Sequence, residues 1–446
     1  MSSWIAAALV GLMGAIAVVA VLLSVFGLWW AARTERRAQA DLAHAQSTGA
    51  EPASLYPVVD LERCIGSGSC VTVCPEKDVL ALLDGKAALV NPTACIGHGE
   101  CMRACPVDAI QLVIGTERRG SEIPVVSADF ETNVPGVYVV GELGGMGLVY
   151  NAMTQALQAV AAIGRKPPPK TPGVLQLLVV GAGPAGLAAS LQAKKLGLVF
   201  ETVDQDTLGG TVLQFPRHKL VMTRPVDLPL VGRVKFTEVR KEQLLEKWRD
   251  IVRRTGLVIR SEVRVEGVTR GPDGVFEVNT TAGPIRTHRV VLAIGRRGTP
   301  RKLGIEGEDL GKVTYRLLEP ERYAGTRCLV VGGGDAAVEA AVALGEAGAK
   351  VSLSYRGKVF DRIKKKNQHR LDRAVAANQV QLLLASRPVA IGEREVILET
   401  EPAQRTAMLN DYVLIFAGGV LPTAFLEAAG VEVQTFRGEA YAPANR

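Results

Sequence analysis

The sequence predicts an α/β protein with two three-layer, Rossmann-like nucleotide-binding domains, the first circularly permuted, a small α+β domain ahead of them and one N-terminal transmembrane helix. Three observations support this fold class. Two apolar strands each run into a glycine-rich turn and a helix of small residues, and six of the seven cysteines fall in two runs of one spacing. An uncharged stretch fills residues 4–32. At 446 residues the chain is long enough for two or three domains with separate cores.

The first element is a predicted transmembrane helix over residues 4–32, followed by a helical tether over residues 33–56 that ends in a loop. Such a helix spans about 43 Å, enough to cross a bilayer core of about 30 Å with tilt. Trp4 and Trp29-Trp30 stand at its two ends, where interfacial aromatic residues are common. Basic residues follow at Arg33, Arg36 and Arg37. The positive-inside rule then predicts a single pass through the inner membrane, with the N-terminus outside and the bulk in the cytoplasm.

A cleaved signal peptide is the alternative interpretation of this stretch. No basic residue precedes it, and its apolar run is longer than a signal peptide needs. Export would also place the cysteine runs in an oxidising compartment. The sequence therefore favours a membrane anchor over a cleaved leader.

Two cysteine runs of one spacing form the second element. They read Cys64-IGSGS-Cys70-VTV-Cys74-Pro75 and Cys95-IGHGE-Cys101-MRA-Cys105-Pro106. Over roughly residues 57–115 this resembles the two-cluster ferredoxins of bacteria, in which the fourth cysteine of each run binds the other cluster. The resemblance implies one cluster on Cys64, Cys70 and Cys105 and another on Cys95, Cys101 and Cys74. A disulfide scaffold is the alternative, but it gives the Cys-Pro pairs no purpose.

The second cysteine of the ferredoxin pattern is replaced in both runs, by Ser67 in the first and His98 in the second. An iron without its cysteine can be lost, leaving a three-iron cluster, or be held by another ligand. A nitrogen ligand at His98 or an oxygen ligand at Ser67 would shift the reduction potential. The alternative is that each residue only fills loop space; we expect this for Ser67, and for His98 both interpretations stay open.

The first glycine-rich turn, Gly181-Ala-Gly183-Pro-Ala-Gly186, follows the strand VLQLLVV and opens a helix. This is the dinucleotide fingerprint in its required context, with the pyrophosphate placed on the helix N-terminus. The next strand puts Asp204, or as second candidate Glu201, where an acid commonly binds the ribose hydroxyls. The predicted contacts of this domain, residues 173–297, are Gly181, Gly183, Pro184, Ala185, Gly186 and Asp204.

A second fingerprint lies within a predicted domain at residues 298–410, with residues 411–446 returning to the first domain and ending in a tail. Its predicted contacts are Gly332, Gly334, Asp335 and Ala337. The following strand ends in Arg356 where many such domains carry an acid. Arginine at this place accommodates a 2′-phosphate, so NADPH is favoured over NADH. The lysines at 364–366 are expected to form a solvated helix face.

Two such fingerprints in series resemble the low-molecular-weight thioredoxin reductase family, which binds one FAD and one NADPH. Further matches are Val290-Val-Leu-Ala-Ile-Gly295 and Phe416-Ala-Gly-Gly419, and the stretch GGTVLQFPRHKLVMT is most similar to the bacillithiol-disulfide-reductase-like branch. The resemblance covers roughly residues 172–435 and adds Gly295 to the flavin contacts. The redox C-x-x-C of the family is absent, with only Cys328 in that region, and the cysteine of the branch is replaced by Ala185. We therefore expect the flavin to have no thiol partner of its own.

The family ends in a strand, a Gly-Asp that binds the FAD ribityl chain, and a helix, which are not found before Arg446. A similar sequence lies upstream, at Asn133-Val-Pro-Gly-Val-Tyr-Val-Val-Gly141-Glu142, and is followed by a predicted helix. The FAD domain is therefore predicted to be circularly permuted, with residues 116–163 as the moved unit and residues 164–172 as a proline-rich linker. Gly141 and Glu142 would take the ribityl role. A linker that only resembles this unit is the alternative.

The sequence thus predicts a membrane-anchored NAD(P)H-dependent flavoprotein oxidoreductase that uses FAD, NADPH and two iron–sulfur clusters, 4Fe-4S or 3Fe-4S. A ferredoxin-fed reductase of NADP or of a small disulfide, and a membrane-bound redox sensor, are the alternatives. No acid–base or nucleophile constellation of a hydrolase or transferase is visible, so no catalytic residue is assigned beyond the cofactors. The modest net charge of +7 shows no nucleic-acid pattern. Ferredoxin, a quinone and a small disulfide are the candidate redox partners, and a homodimer is an open alternative to a monomer.

Overall fold

The computed structural model describes residues 2–440, except 53–54, 96, 98, 118–119, 145–146, 216, 218, 236–237, 297–298 and 401–403, and describes 2–12, 15, 220, 222, 238 and 299 by backbone alone. The helices are α1 Ser2–Thr48, α2 Ser69–Val73, α3 Glu100–Arg103, α4 Val149–Arg165, α5 Pro184–Lys195, α6 Lys241–Thr255, α7 Asp335–Glu346, α8 Lys365–Ala376 and α9 Thr423–Ala428. His98 and the tail beyond residue 440 lie outside the described residues.

The N-terminal helix α1 is continuous from Ser2 to Thr48 and is long and apolar enough, from Ile16 onwards, to cross a membrane. The described side chains of that apolar part are all exposed. Past residue 34, half-buried or buried positions recur every three or four residues, at Glu35, Ala38, Asp41, Leu42, Ala45 and Thr48. One stripe of the helix therefore packs on the rest of the molecule, as expected of a docked amphipathic helix.

The cysteine runs lie in a small domain of short strands and helices. Tyr56–Val59 pairs antiparallel with Ile110–Ile114, and Leu80–Leu83 forms a hairpin with Lys86–Leu89. The short helices α2 and α3 each begin within one cysteine run, after Gly68 and Gly99 respectively. Four of the cysteines are buried in the core of this domain, among aliphatic side chains.

The first nucleotide-binding domain contains a parallel sheet in the order Val137–Val139, Val290–Leu292, Leu177–Val180, Phe200–Val203. The upstream strand of the predicted moved unit is therefore an edge strand of this sheet, and α4 packs against α5. Smaller antiparallel elements of the same domain are Leu220–Met222 with Glu238–Arg240, Val226–Leu228 with Gly232–Val234, and Val265–Arg270, Phe276–Thr280 and Ile285–Thr287. Alternate residues of the central strand enter cores on opposite faces, which is the three-layer arrangement that the sequence predicts.

The second nucleotide-binding domain contains a parallel sheet in the order Val313–Thr314, Tyr412–Ile415, Arg327–Val331, Lys350–Tyr355, Val380–Leu384. An antiparallel sheet of Ser386–Ile391, Glu395–Thr400 and Gln404–Leu409 covers one face. The helix α7 covers the other face. Thr299–Pro300 and Gly419–Val420 pair where the chain passes between the two domains.

The C-terminal part differs from the predicted boundary at residue 410. Tyr412–Ile415 belongs to the second sheet, because its apolar side chains are buried between two neighbouring strands and both covering layers. Val433–Phe436 pairs with Ser121–Pro124, and Glu439–Ala440 extends the sheet of the cysteine domain. Between these strands and the second sheet, Leu426 and Val431 are buried in the core of the first nucleotide-binding domain, to which the chain was predicted to return.

Candidate functional site

The first glycine-rich turn is as tight as a dinucleotide-binding turn requires. A Cβ atom on Gly186 would lie 1.7 Å from the carbonyl oxygen of Gly181, and one on Gly181 would lie 2.5 Å from the carbonyl oxygen of Ala293. Helix α5 begins directly after Gly183. The backbone therefore presents the N-terminus of α5 at the end of a buried parallel strand, where a pyrophosphate binds without a side chain in its way.

The upstream turn with Gly141 lies against this loop. Gly141 has a φ of 83°, and a Cβ atom on it would lie 3.1 Å from Cβ of Ala185. Its N–H donates to Oε1 of the buried Gln155 at 2.8 Å. Glu142 is half-buried in the same short helical turn. The two segments, more than thirty residues apart in the chain, therefore form one candidate FAD site.

Gly295 and the segment at Gly209–Thr211 line the continuation of that site. A Cβ atom on Gly295 would lie 3.9 Å from Oγ1 of Thr211, and one on Gly210 would lie 3.0 Å from Cα of Gly183. Gly295 is a predicted flavin contact, whereas the segment from Gly209 was predicted only to resemble the family. The structure brings both next to the first glycine-rich turn.

The predicted ribose acid Asp204 is buried, and its carboxylate accepts hydrogen bonds from the N–H groups of Ala182 and, at 2.7 Å, Asp206. Burial raises the pKa of this carboxyl, and the two N–H donors partly offset that rise. Asp204 therefore holds the glycine-rich turn to the next loop. Glu201 forms an ion pair with Arg260 at 2.7 Å.

The second glycine-rich turn repeats the geometry of the first. A Cβ atom on Gly332 would lie 2.5 Å from the carbonyl oxygen of Phe416, Gly334 precedes α7, and Ala337 is fully buried. Asp335 has a partner that the sequence did not reveal. Its Oδ1 accepts the Lys364 N–H at 2.8 Å and the Asn367 side-chain amide at 2.7 Å. This carboxylate fastens the start of α8 to the turn.

Arg356 is exposed and directly follows the strand Lys350–Tyr355. In that strand Ser354 pairs with Val331, the last residue before the second glycine-rich turn. Tyr355, which precedes Arg356 and which sequence reasoning did not assign to the site, stacks on Phe360 with ring centroids 5.0 Å apart. A Cβ atom on Gly333 would lie only 2.0 Å from the Tyr355 ring. An aromatic ring and a free-standing guanidinium thus flank the turn where an adenosine with a 2′-phosphate would lie.

The six cysteines of the two runs line two cavities, in the crossed grouping that the sequence predicts. One cavity is lined by Cys64, Cys70 and Cys105, and the other by Cys74, Cys95 and Cys101. Among the described residues no group of ligands converges on a single metal ion. Three thiols around a wider space fit a cluster, in which each thiolate binds a different iron. We call these the first and the second cysteine cavity.

The thiols of the two cavities have different electrostatic surroundings. Backbone N–H groups, chiefly that of Ala87 at 3.5 Å from Sγ, lower the pKa of Cys64. Burial raises the pKa of Cys95 to about 11 and that of Cys101 to about 12. Iron binding would replace those protons, so cluster formation is coupled to proton release. Ser67 lines the first cysteine cavity and its hydroxyl donates to the Ser69 hydroxyl at 3.3 Å, so its role as loop filler or as ligand stays a prediction.

Residue Cys328 lies outside both cavities. It is 2% exposed on a central strand of the second sheet, and burial raises the pKa of its thiol. The hydroxyl oxygen of Thr326 lies 3.4 Å from Sγ of Cys328 and forms a hydrogen bond with it. A buried thiol with a raised pKa is a poor redox group, and the absence of a thiol partner for the flavin stays a prediction.

Comparison with known proteins supports the two-part organisation. Residues 178–444 match the sequence model described as pyridine nucleotide-disulphide oxidoreductase, and residues 56–106 match that of the 4Fe-4S dicluster domain. These matches confirm the flavoprotein resemblance and the ferredoxin-type domain. They also confirm the α/β fold class.

Individual relatives cover the nucleotide-binding part of the chain. Bacilliredoxin reductase Bdr of Bacillus subtilis is 27% identical over 269 residues, which is 59% of this chain and 83% of the relative. A ferredoxin–NADP reductase of Ignicoccus hospitalis is 27% identical over 246 residues, covering 54% and 76%. The solved bacillithiol disulfide reductase Bdr of Staphylococcus aureus aligns at a TM-score of 0.51 and 24% identity, covering 57% and 80%, and so shares the fold.

Proposed function

We propose that this chain, which belongs to the pyridine nucleotide-disulphide oxidoreductase family, carries electrons from NADPH through FAD to two iron–sulfur clusters beside a membrane. The chain is an FAD-dependent NAD(P)H oxidoreductase with a 4Fe-4S domain. The order of electron flow, the preference for NADPH and the anchor are the proposal. They are supported by the contacts that join the three parts of the molecule.

The observation that carries the proposal is the contact between the cysteine domain and the flavin domain. Glu100, the residue before Cys101, forms an ion pair with Arg224 of the first nucleotide-binding domain. Both side chains are about one-third exposed or less, so the pair lies at a covered domain contact. The second cysteine cavity therefore faces the domain that holds the flavin. With Ala185 and the buried Cys328 in place of redox thiols, the clusters are the exit for flavin electrons.

The chain's own residues position the cofactors. When bound, FAD supplies hydride acceptance, and iron–sulfur clusters supply transfer of single electrons. The N-termini of α5 and α7 would hold the two pyrophosphates, and the turn at Gly141 and Glu142 would hold the ribityl chain. Arg356 would bind the 2′-phosphate through a charge-assisted bond. The crossed cysteines would hold the irons.

The membrane anchor is the part of the proposal that rests on α1. Its apolar part is exposed along its whole described length, which is costly in water and favourable in lipid. The docked part begins directly after it, so the catalytic domains would lie against the cytoplasmic face of the inner membrane. Retention of the helix in the mature protein separates this proposal from a cleaved leader.

The test is an anaerobic preparation of the full chain, in which iron, sulfide and flavin are counted and NADPH is then added. We expect flavin bleaching and cluster EPR signals. Replacing Cys70 and Cys101 by alanine should leave the bleaching intact, because hydride transfer needs only the two nucleotide-binding domains. The same variant should lose reduction of cytochrome c. A double variant that reduces cytochrome c as fast as the wild type would show that the clusters are not the exit.

The reverse direction is the second candidate, because the relatives include ferredoxin–NADP reductases. In this case a reduced ferredoxin would deliver electrons through the clusters and FAD to NADP⁺. Mixing the protein with chemically reduced ferredoxin and NADP⁺ decides between the directions. If NADPH forms from reduced ferredoxin faster than the protein oxidises NADPH in the cytochrome c assay, the reverse direction is favoured.

A further inference from the structure

The first cysteine cavity is fastened to α1 just beyond the apolar span. Glu35, three residues past the predicted end of the span, accepts the N–H of Asp84 at 2.8 Å. Asp84 and Gly85 form the turn of the hairpin in the cysteine domain. A Cβ atom on Gly66 would lie 2.1 Å from the Gly85 carbonyl oxygen, so the loop between Cys64 and Cys70 packs directly on that turn. At the helical rise, Glu35 is only about 5 Å beyond the span.

The same helix contacts the second nucleotide-binding domain farther from the span. Asp41, about 14 Å beyond the span at the helical rise, forms an ion pair with Lys365, the first residue of α8. Glu100, the residue before Cys101, forms an ion pair with Arg224 of the first nucleotide-binding domain. The second cavity therefore lies on the side of the nucleotide-binding domains, away from the span.

The described residues around the two cavities also differ in their exposure to solvent. Leu61 is 58% and Ile65 is 65% exposed on the loop of the first cavity, and Ser67 between the glycines is exposed too. In the loop of the second cavity, the described residues Gly97 and Gly99 are buried. The first cavity thus lies next to exposed apolar side chains, whereas the described glycines of the second loop are buried.

We propose that the surface formed by Leu61, Ile65 and Ser67, here called the membrane face, lies on the lipid surface, and that the first cysteine cavity exchanges electrons with a quinone dissolved in the membrane. The inference rests on the proposed function. Helix α1 runs unbroken from the span through Glu35 to Thr48, so the height of the cysteine domain above the lipid is fixed by the helix.

The chemistry of the membrane face suits this position. Leu61 and Ile65 are apolar side chains of the kind that enter the boundary between head groups and acyl chains. Arg33, Arg36 and Arg37 on the adjacent part of α1 would bind anionic head groups. A quinone is confined to the lipid, so its electron donor has to lie at the lipid surface. The first cavity meets that condition because its loop packs on the turn that Glu35 of α1 binds.

The overall reaction balances without a further reactant. NADPH gives two electrons and one proton as a hydride, and the quinone takes two electrons and two protons, the second proton coming from water. The products are NADP⁺ and the quinol. Clusters held in the two cavities would carry single electrons, with the second cavity as the entry side because its loop contacts the flavin domain through Glu100 and Arg224.

The test places the photo-cross-linking residue benzoylphenylalanine at single positions of the full chain in vesicles of phosphatidylethanolamine and phosphatidylglycerol. The three positions are those of Ile65, of Phe26 within the span, and of Val258, which is 76% exposed on the flavin domain. After illumination, mass spectrometry measures lipid adducts. We expect adducts at positions 26 and 65 and none at 258.

The outcomes separate the two proposals. Adducts at position 26 without adducts at 65 would overturn the membrane face and leave the anchor standing. No adduct at position 26 would overturn the anchor, and with it the membrane face. Equal adducts at 65 and 258 would show unspecific labelling and contradict the orientation.

The quinone is tested in vesicles that contain ubiquinone. Ile65→Glu should lower the NADPH-driven formation of quinol several-fold while the iron content and the cluster EPR signals are kept, and Val258→Glu should change nothing. If Ile65→Glu loses iron, Leu61→Glu makes the same test from outside the cysteine run. Equal quinol formation in all variants would overturn the proposal that the first cavity reduces a quinone. A wild type that forms no quinol, although NADPH reduces its clusters, would overturn it as well.

Discussion

The two nucleotide-binding domains have the same turn geometry but are assembled differently. The second sheet is built from one stretch of chain, between Val313 and Ile415. The first sheet takes its edge strand, Val137–Val139, from upstream of its own glycine-rich turn. That strand continues from the cysteine domain through Ser121–Pro124, which also pairs with the C-terminal strand Val433–Phe436.

This difference teaches how an iron–sulfur domain can be coupled to a flavin site. In the second domain the nucleotide site needs no segment from elsewhere. In the first domain the turn at Gly141 would complete the site, and the chain reaches this turn directly from the cysteine domain. The upstream strand thus lies in the sheet of the flavin domain and is joined directly to the cysteine domain. The following predictions can break or sharpen that comparison.

The largest effect is expected from Gly141→Val. The φ of 83° and the Ala185 Cβ atom 3.1 Å from the new Cβ leave no room for a side chain. We expect loss of FAD from the purified protein, with the second domain still binding NADPH. Gly173→Val is the matched control, because Gly173 has a φ of 72° and no atom within 4 Å of its added Cβ. Equal FAD content in both variants would contradict the role of the upstream turn.

Arg356→Glu should come next. A charge-assisted hydrogen bond contributes about 1.5–3 kcal/mol, so we expect KM for NADPH to rise by about tenfold or more. KM for NADH should change little, since NADH has no 2′-phosphate. Lys350→Glu, at the other end of the same strand, is the control. A wild type that prefers NADH, with no effect of Arg356→Glu, would show that Arg356 is a surface residue only.

Arg224→Ala should have a smaller effect, of a few-fold, on the rate at which clusters are reduced after the flavin. The variant removes the ion pair that holds Glu100, and hence the second cysteine loop, to the flavin domain. Stopped-flow absorbance follows flavin and clusters separately. Arg103→Ala removes the partner of Glu100 within the cysteine domain and should not slow the transfer. Equal rates in the wild type and in Arg224→Ala would remove this contact from the electron route.

The smallest effect concerns the pH dependence of the second domain. Hydrogen bonds from Arg327 lower the pKa of Asp411 from 3.8 to about 2, and this pair joins two neighbouring strands. Because the folded-state pKa is depressed, the stabilisation is present above the ordinary pKa and is lost as the pH falls through about 2. Asp411→Asn should lower Tm slightly at neutral pH and not at the acid end. A difference in Tm that grows towards acid would contradict this sign.

Most of the architecture could be predicted from the sequence because it depends on local patterns. The upstream strand was recognisable from Asn133 to Glu142, and the cysteine spacing predicted the crossed cavities. The boundary at residue 410 was wrong because the apolar run of Tyr412–Ile415 does not reveal which sheet buries it. The partners of Asp335 were hidden for the same reason, since Asn367 lies far away in sequence. Tertiary hydrogen bonds decide such roles.

The most direct test of the central claim is the order of reduction in the full, cluster-loaded protein. Rapid mixing with NADPH under anaerobic conditions should bleach the flavin first, and freeze-quenched samples should then show EPR signals of reduced clusters at a rate no slower than steady-state turnover. Clusters that stay oxidised in excess NADPH, although dithionite reduces them, would contradict electron flow from NADPH through FAD to the clusters.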